Sequence, residues 1–331
     1  MSDGPRIGMI SFAHIHAFSY LKVLLSMPDV ELIGIADDDA ERGRQVAAEA
    51  GVPYLDTEVL LEAADGVIVT TENVHHRENV LRAAQAGVDV MCEKPLATTM
   101  ADGQEMISAC REAGVQLMTA FPCRFAPAFI EARQMIEAGE LGRILAISAT
   151  NRGRNPGGWF VQPELSGGGT VMDHTVHMVD LMRVVTGQEP ATVYAEVDTV
   201  YNPELEVEDC GLLSIAFADG CIAALDCSWS RPPHYPVWGD ATMTVIGERG
   251  NVVVDLFREH LGYYNNDDRS YTWVAYGESP DYSLVRAFVH SVRSGEPVPV
   301  TGEDGLRAVE VALGAYKSVE QGSPVLLPLK Q

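Results

Sequence analysis

The chain has 331 residues, which is more than the roughly 250–300 residues at which single hydrophobic cores stop growing, so two domains are expected. Its 47 acidic and 23 basic residues give a formal net charge of -24. A charge of this sign repels both a nucleic-acid backbone and an anionic membrane surface, so we expect neither as a partner.

The cysteines and the apolar segments indicate the compartment. The six cysteines show no CxxC pair or other metal-ligand spacing, and several lie in apolar runs. The first apolar stretch is too short for a signal peptide, and no later segment approaches the ~18 apolar residues of a membrane span. We therefore expect a cytoplasmic protein with reduced thiols and no metal.

The first 121 residues alternate short, almost wholly apolar segments with amphipathic ones. The apolar segments predict strands at Arg6–Ser11, Val30–Asp37, Gly66–Thr71, Asp89–Glu93 and Val115–Phe121. The amphipathic segments predict helices at Ala17–Met27, Ala40–Ala50, His75–Ala86 and Thr98–Ala113. Gly87 and Gly114 stand where helix C-caps are expected. This alternation predicts an α/β fold with a doubly wound parallel sheet.

After Phe121 strands follow one another more closely, so we predict a second domain over 122–331 after a first over 1–121. Helices are expected at Pro127–Ala138, Asp173–Thr186, Ser283–Ser294 and Asp304–Glu320. Strands are expected at Arg143–Thr150, Ala191–Val200, Cys210–Phe217, Cys221–Ser228, Ala241–Ile246 and Val252–Phe257. The turn sequences at 218–220 and 248–250 predict antiparallel hairpins.

The turn after the first predicted strand stands where a dinucleotide-binding sheet carries its glycine-rich loop. It reads Ser11, Phe12, Ala13, His14, and it contains no GxGxxG. Ser11 and Ala13 fall at the spacing of the first two glycines, so a tight turn is expected to survive only if neither takes a positive φ. These four residues are predicted to contact the cofactor; the alternative is an ordinary strand-to-helix turn.

Asp37 follows the second predicted strand, 26 residues beyond Ser11. A carboxylate near an offset of about 20 binds the adenosine ribose hydroxyls in dinucleotide-binding folds. It would also repel a 2′-phosphate, which favours NAD over NADP as the cofactor. The alternative role for Asp37 is the N-cap of the next helix.

Polar residues also follow the strand predicted at Gly66–Thr71. Loops at the carboxyl ends of parallel strands line the ligand crevice, so the side chains here are predicted to contact the cofactor. They are Thr70, Thr71, Asn73 and His76. Capping of the following helix is the alternative.

The next predicted strand ends in Glu93, Lys94 and Pro95. Only four of the 23 basic residues are lysines, so a lysine at the mouth of a buried strand points to function. The proline permits a cis peptide bond that would direct the ammonium group into the crevice. Glu93 is also predicted to contact the cofactor, and a structural pair between Lys94 and Glu93 is the alternative.

This motif, together with the block Gly167–Asp180, resembles the glucose-fructose oxidoreductase and inositol dehydrogenase (Gfo/Idh/MocA) family over essentially the whole chain. The resemblance implies a C-terminal α/β domain with a large, mostly antiparallel open sheet that often mediates homo-oligomers, here a dimer or tetramer. It also implies an NAD(P)-dependent oxidoreductase acting on secondary hydroxyls of sugars or polyols, with Lys94, Asp173 and His177 as the catalytic residues.

The residue types fit this chemistry. Oxidation of a carbinol needs a base for the hydroxyl proton, and Asp173 and His177 lie four residues apart, on one helical face, where the carboxylate can orient the imidazole. His174 and His177 lack a third well-spaced metal ligand. The remaining predicted substrate contacts are Arg124, Arg152, Trp159 and His234, each of which has a structural role as the alternative.

Two other functions stay open at this point. One is an NAD-using lyase or glycosidase that oxidises a sugar transiently and returns the hydride. The other is a non-catalytic nucleotide-binding protein, which the missing glycines would favour. The presence of Lys94, Asp173 and His177 together argues for catalysis.

Overall fold

The structure is a computed structural model that describes residues 4–257, 260–265, 267, 269–275 and 277–330. The chain forms two compact units. The first contains the described residues up to Pro122 together with Asp281–Leu306, and the second contains the remainder. The predicted domains, 1–121 and 122–331, differ from this division in the segment 281–306.

The segment joins the first unit because its helix packs on the sheet there. A Cβ added to Gly66 would lie 2.9 Å from Val292 and 3.1 Å from Phe288, so the glycine allows this close approach. Both side chains belong to the helix Pro280–Ser294. The sequence pattern predicts that helix but does not show what it packs against.

The first unit follows the predicted alternation of strands and helices, with one additional helix, α3. Its strands are β1 (Arg6–Ile10), β2 (Glu31–Ala36), β3 (Gly66–Val69), β4 (Asp89–Cys92) and β5 (Leu117–Thr119). Its first helices are α1 (Ala17–Ser26), α2 (Ala40–Ala50), α3 (Thr57–Ala63), α4 (His76–Ala86) and α5 (Met100–Ala113). Gly87 and Gly114 end α4 and α5 in the left-handed conformation, as predicted.

The five strands form one parallel sheet in the order β2-β1-β3-β4-β5. The predicted doubly wound parallel sheet is therefore confirmed. The chain reverses its direction of travel across the sheet between β1 and β3, and ligands of such sheets bind outside the carboxyl ends of the strands at this switch point. The residues that follow β1, β3 and β4 are therefore the ones expected to contact a ligand.

The second unit is built on a larger sheet. Its elements up to the last hairpin are α6 (Pro127–Glu137), β6 (Ile144–Gly153), α7 (Pro163–Ser166), α8 (Thr170–Thr186), β7 (Pro190–Asp198), β8 (Cys210–Phe217), β9 (Ile222–Asp226), β10 (Gly239–Gly247), β11 (Asn251–Asp255), β12 (His260–Asn265) and β13 (Ser270–Ala275). The chain ends with α9 (Pro280–Ser294), α10 (Gly302–Gln321) and β14 (Val325–Leu326).

Seven strands pair in the order β11-β10-β6-β9-β8-β7-β14, and within the described part of this sheet β6 with β9 is the one parallel pair. The mostly antiparallel sheet is therefore confirmed, as are the hairpins β8–β9 and β10–β11. The separate hairpin β12–β13 was not predicted. Among the described residues, no helix combines the length and the apolar composition that crossing a membrane requires.

Helix α8 is buried along most of its length, with 14 of its 17 residues in the interior. Four of these buried residues, Asp173, His174, His177 and Asp180, carry ionisable side chains. Because a buried polar group is costly unless it is hydrogen-bonded, each needs a partner from the surrounding structure.

Candidate functional site

The turn after β1 is held by Ser11, which has a φ of 73°. The expectation that the turn requires a negative φ at Ser11 is wrong. A left-handed conformation costs a non-glycine residue roughly 1–2 kcal/mol. Hydrogen bonds offset this cost, because Ser11 Oγ accepts from the Ala13 amide at 3.1 Å and from Arg42 Nη2 at 3.3 Å.

Several backbone amides of this turn already have protein partners. The Phe12 amide donates to Asp37 Oδ2 at 2.8 Å, the His14 amide donates to Thr70 O at 3.0 Å, and the His16 amide donates to His14 Nδ1 at 3.2 Å. In a glycine-rich loop such amides receive the cofactor pyrophosphate. Here protein groups accept from three of the amides at this turn that a pyrophosphate would otherwise bind.

Asp37 is fully engaged by the protein. Its carboxylate accepts from the Phe12 amide, from the Asp39 amide at 3.0 Å, and from Arg42 Nε and Nη2 at 2.8 and 2.6 Å. These four bonds match the roughly four lone-pair positions of a carboxylate. Asp37 is not the cap of α2, because Asp39 fills that role by accepting from the Glu41 and Arg42 amides.

A buried carboxylate, Glu93, lies at the end of β4. Its Oε1 accepts from Tyr20 Oη at 2.5 Å and lies 3.0 Å from His16 Nδ1, while its Oε2 accepts from the Lys94 amide at 2.9 Å. Burial would raise the pKa of Glu93, but electrostatic attraction to the neighbouring basic residues and the hydrogen bond with His16 outweigh burial and hold that pKa well below its ordinary range. Glu93 is therefore ionised.

The pKa of His16 is also set by burial and by a neighbouring charge. Burial disfavours its charged form, yet the neighbouring Glu93 carboxylate raises the pKa of His16 above its ordinary value. His14, from the same turn, places its Nδ1 3.9 Å from Glu93 Oε1. His14 and Glu93 were predicted as separate cofactor contacts, their meeting was not predicted, and no role was predicted for His16 or Tyr20.

Lys94 is only 4% exposed, and the Lys94–Pro95 peptide bond is cis, as the sequence allowed. The Glu93 carboxylate accepts a hydrogen bond from the backbone amide of Lys94, so its interaction with Lys94 is not limited to the side-chain ammonium group. The carbonyl of Pro95 is in turn held by His76 Nδ1 at 2.9 Å, and burial lowers the pKa of His76. His76 therefore fixes the backbone directly after the lysine.

The predicted cofactor contacts after β3, which are Thr70, Thr71, Asn73 and His76, do not cap the following helix. The caps there are Glu72 and His75, and neither makes a side-chain capping bond. Thr70 Oγ1 donates to Ser11 O at 2.7 Å and so ties the end of β3 to the turn after β1. Thr71 and Asn73 are buried at the same edge of the sheet.

In the second unit, α8 carries Asp173 and His177, which are 9% and 6% exposed. Asp173 Oδ2 accepts from Trp229 Nε1 at 3.3 Å and lies 3.1 Å from His174 Nε2. His177 Nδ1 lies 3.8 Å from the sulfur of Cys123. The predicted contact between Asp173 and His177 stays a prediction, and the contacts of Trp229 and Cys123 had no signal in the sequence.

The start of α8 is capped from outside the helix by Glu208. Its carboxylate accepts from the Gly169 amide at 3.1 Å, the Val171 amide at 2.9 Å and Tyr316 Oη at 2.7 Å. Burial raises the pKa of Glu208, and these hydrogen bonds oppose the rise. The cap explains why α8 starts at Thr170, three residues before the predicted start.

Three of the four other predicted substrate contacts have structural partners. Arg124 forms a bidentate pair with Asp180 at 2.6 and 2.5 Å, and Arg152 Nη2 lies 3.0 Å from Asp240 Oδ2. Trp159 stacks on Phe160 with ring centroids 3.9 Å apart, while His234 is exposed. The alternative given for Arg124, a structural role, accounts for its bidentate pair.

Comparison with known proteins gives two adjacent family matches. Residues 6–121 match the model described as oxidoreductase family, NAD-binding Rossmann fold, and residues 129–253 match the GFO/IDH/MocA C-terminal domain. The first match covers the first unit's sheet, and the second covers α8 and most of the second unit's sheet. The chain therefore carries an NAD-binding Rossmann domain.

Individual relatives extend over nearly the whole chain. It is 30% identical to myo-inositol 2-dehydrogenase of Thermotoga maritima, covering 97% of this chain and 98% of the relative. It is also 30% identical to 1,5-anhydro-D-fructose reductase of Ensifer adhaerens, covering 88% and 90%. The crystal structure of GenD2 from gentamicin A biosynthesis in complex with NAD superimposes with a TM-score of 0.90 at 26% identity, covering 99% and 98%.

We expect Glu208→Ala to lower stability by about 1–3 kcal/mol, because it leaves buried amide donors at the start of α8 without their acceptor. Chemical denaturation followed by circular dichroism measures the loss. The matched control is Glu206→Ala, which removes the same charge from an exposed position two residues away. Equal stability of the two variants would show that the cap does not hold the helix.

Proposed function

The chain belongs to the GFO/IDH/MocA family of oxidoreductases, and we propose that it transfers hydride from a secondary hydroxyl of a sugar or polyol to NAD. The observation that carries the proposal is Lys94, a buried lysine two residues after β4 in an NAD-binding Rossmann unit. The names of the relatives, an inositol dehydrogenase and an anhydrofructose reductase, support the substrate class.

NAD would lie at the carboxyl edge of the first unit's sheet, where Ser11, Thr70, Thr71 and Glu93 come together. The nicotinamide supplies the hydride acceptor when the cofactor is bound. The residues Phe12, Ala13, His14, Asn73 and His76 are the further proposed contacts. Among the described residues, the buried hydroxyl of Thr71 makes no hydrogen bond within the protein, which makes it available to a ligand.

Proton transfer is the task that remains for the side chains. We assign the base to His177, because an imidazole has a pKa near neutrality and can take the hydroxyl proton as hydride leaves. Asp173 is proposed to contact substrate or imidazole, and Trp229 fixes its carboxylate. Lys94 is proposed to donate a hydrogen bond to the substrate oxygen, and Arg124, Arg152 and Trp159 to shape the surrounding pocket.

We also propose that the second unit's sheet mediates homo-oligomers. The strand register places Leu212, Ile222, Ile246 and Val253 on one face of this sheet. Ile222 and Val253 are 60% and 65% exposed. An apolar face of this kind is typical of an interface between subunits.

Lys94→Ala and His177→Ala should each lower turnover by about 10² or more, the usual effect of losing a general acid or base. NADH absorbance in a panel of polyols and aldoses identifies the substrate and measures turnover. The matched controls are Lys22→Ala and His290→Ala, both at exposed positions. Near wild-type turnover in either site variant would contradict the role assigned to that residue.

NAD should bind more tightly than NADP, because the Asp37 carboxylate repels a 2′-phosphate and engages Arg42. Asp37→Ser should free Arg42 and raise the affinity for NADP relative to NAD by about tenfold or more, since a new guanidinium-phosphate pair is a strong charge-assisted interaction. Titration calorimetry measures both affinities.

Two further variants complete this test. Asp38→Ser changes an exposed neighbouring carboxylate and should leave the preference for NAD unchanged. Adding Arg42→Ala to Asp37→Ser should abolish the gain for NADP. An unchanged ratio of affinities in Asp37→Ser would exclude this origin of cofactor preference.

Ile222→Glu combined with Val253→Glu should shift the protein to smaller species, because charges in an apolar interface cannot be solvated. Light scattering coupled to gel filtration gives the mass. A wild type that is monomeric at micromolar concentration would contradict the proposed interface.

A further inference from the structure

We propose that His14, His16 and Glu93 bind one divalent transition-metal ion of the zinc type. The site itself needs only the geometry of the first unit, whereas the purpose assigned to the ion rests on the proposed NAD binding. The three residues come from the turn after β1 and from the end of β4, and both segments lie at the carboxyl edge of the sheet.

The three side chains present their ligand atoms to one point. One nitrogen from each imidazole and one Glu93 oxygen all lie within 4.8 Å of one another. Individual separations to Glu93 Oε1 are 3.0 Å from His16 Nδ1 and 3.9 Å from His14 Nδ1. Neighbouring ligands of tetrahedral Zn²⁺ lie about 3.3 Å apart when each is about 2.0–2.1 Å from the ion. Small side-chain rotations therefore suffice to form the site.

The electronic state of the ligands is also suitable. Glu93 contributes a carboxylate oxygen, a kind of ligand atom that zinc accepts. His14 Nδ1 accepts the His16 amide proton at 3.2 Å, so this nitrogen carries no proton and presents a lone pair. The bond is at the long end of the normal range, so a metal ion displaces a weak interaction there. His16 is partly exposed, which gives an ion a route in from solvent.

An outer layer of hydrogen bonds orients Glu93. Tyr20 Oη donates to Oε1 at 2.5 Å, and the Lys94 amide donates to Oε2 at 2.9 Å. Ligating carboxylates in metal sites are characteristically held in this way by groups that do not touch the ion. Two imidazoles and one glutamate are a ligand set that zinc accepts, with a further position left for a non-protein ligand.

The turn supplies a reason for the ion. Because the amides of Phe12, His14 and His16 are already engaged, the pyrophosphate of NAD loses much of the usual amide cradle. One ionised carboxylate and one divalent ion leave the cluster with a net positive charge, to which Lys94 nearby adds and which a pyrophosphate would balance. We therefore assign the open position to a pyrophosphate oxygen, so that metal and NAD strengthen each other's binding.

The first measurement is metal content and affinity without NAD. The full-length protein is stripped with a chelator and titrated with Zn²⁺ by calorimetry, and with Co²⁺ by visible absorption. The expected result is one ion per chain, with affinity at least about tenfold weaker in His14→Ala, His16→Ala and Glu93→Gln. His290→Ala, which removes an exposed histidine of the same unit, is the control.

Circular dichroism and thermal unfolding verify that each variant is folded. Glu93→Gln keeps the shape of the side chain, so it remains informative if an alanine variant unfolds. Failure of wild type to bind Zn²⁺ or Co²⁺ stoichiometrically would overturn the proposal, and so would equal affinity in wild type and all folded site variants.

The second measurement separates the site from its purpose. NAD affinity is determined with Zn²⁺ bound and after chelation, and we expect NAD to bind about tenfold more tightly to the metal-loaded protein. Equal NAD affinities would overturn the assignment to pyrophosphate while leaving a stoichiometric metal site in place. Absence of NAD binding under both conditions would contradict the proposed function, and the metal titration would still decide the site.

Discussion

The ionised Glu93 carboxylate, buried at the end of β4, is the constraint on which the cofactor edge of the sheet depends. A buried charge without partners is strongly unfavourable, and removing one partner of a buried pair costs about 3–5 kcal/mol. Tyr20 on α1, His16 before α1 and the Lys94 amide all satisfy this one group. The groups that compensate the buried Glu93 charge therefore hold the turn after β1 and the backbone of Lys94 in place at the same time.

Patterns that act over a few residues were sufficient to predict much of this architecture. Apolar strands buried on both faces predicted the parallel sheet, and turn sequences predicted the two hairpins of the second unit. The glycine caps at Gly87 and Gly114 followed from the preference of the left-handed conformation for glycine. The motif that contains Lys94 predicted where β4 ends, because local sequence determines where a strand stops.

Partners that lie far apart in sequence could not be predicted in this way. Trp229 holds Asp173 and Glu208 caps α8, and neither pair has a spacing that marks it. Ser11 shows a related limit. A serine in the left-handed conformation is unfavourable by itself, and only the bonds from Ala13 and Arg42 offset its cost. Long-range hydrogen bonds, rather than local preference, thus shape the details of both units.

Net transfer of hydride from a carbinol carbon to NAD can be followed with an isotopically labelled substrate. The polyol or aldose oxidised fastest by the protein is prepared with deuterium on its carbinol carbons and incubated with NAD. Hydride transfer to NAD predicts NADH that carries one deuterium and is formed in equal amount with the carbonyl product. It also predicts a primary isotope effect on kcat/KM. Deuterium that returns to the product without accumulation of NADH would contradict it and would indicate transient oxidation in a lyase or glycosidase.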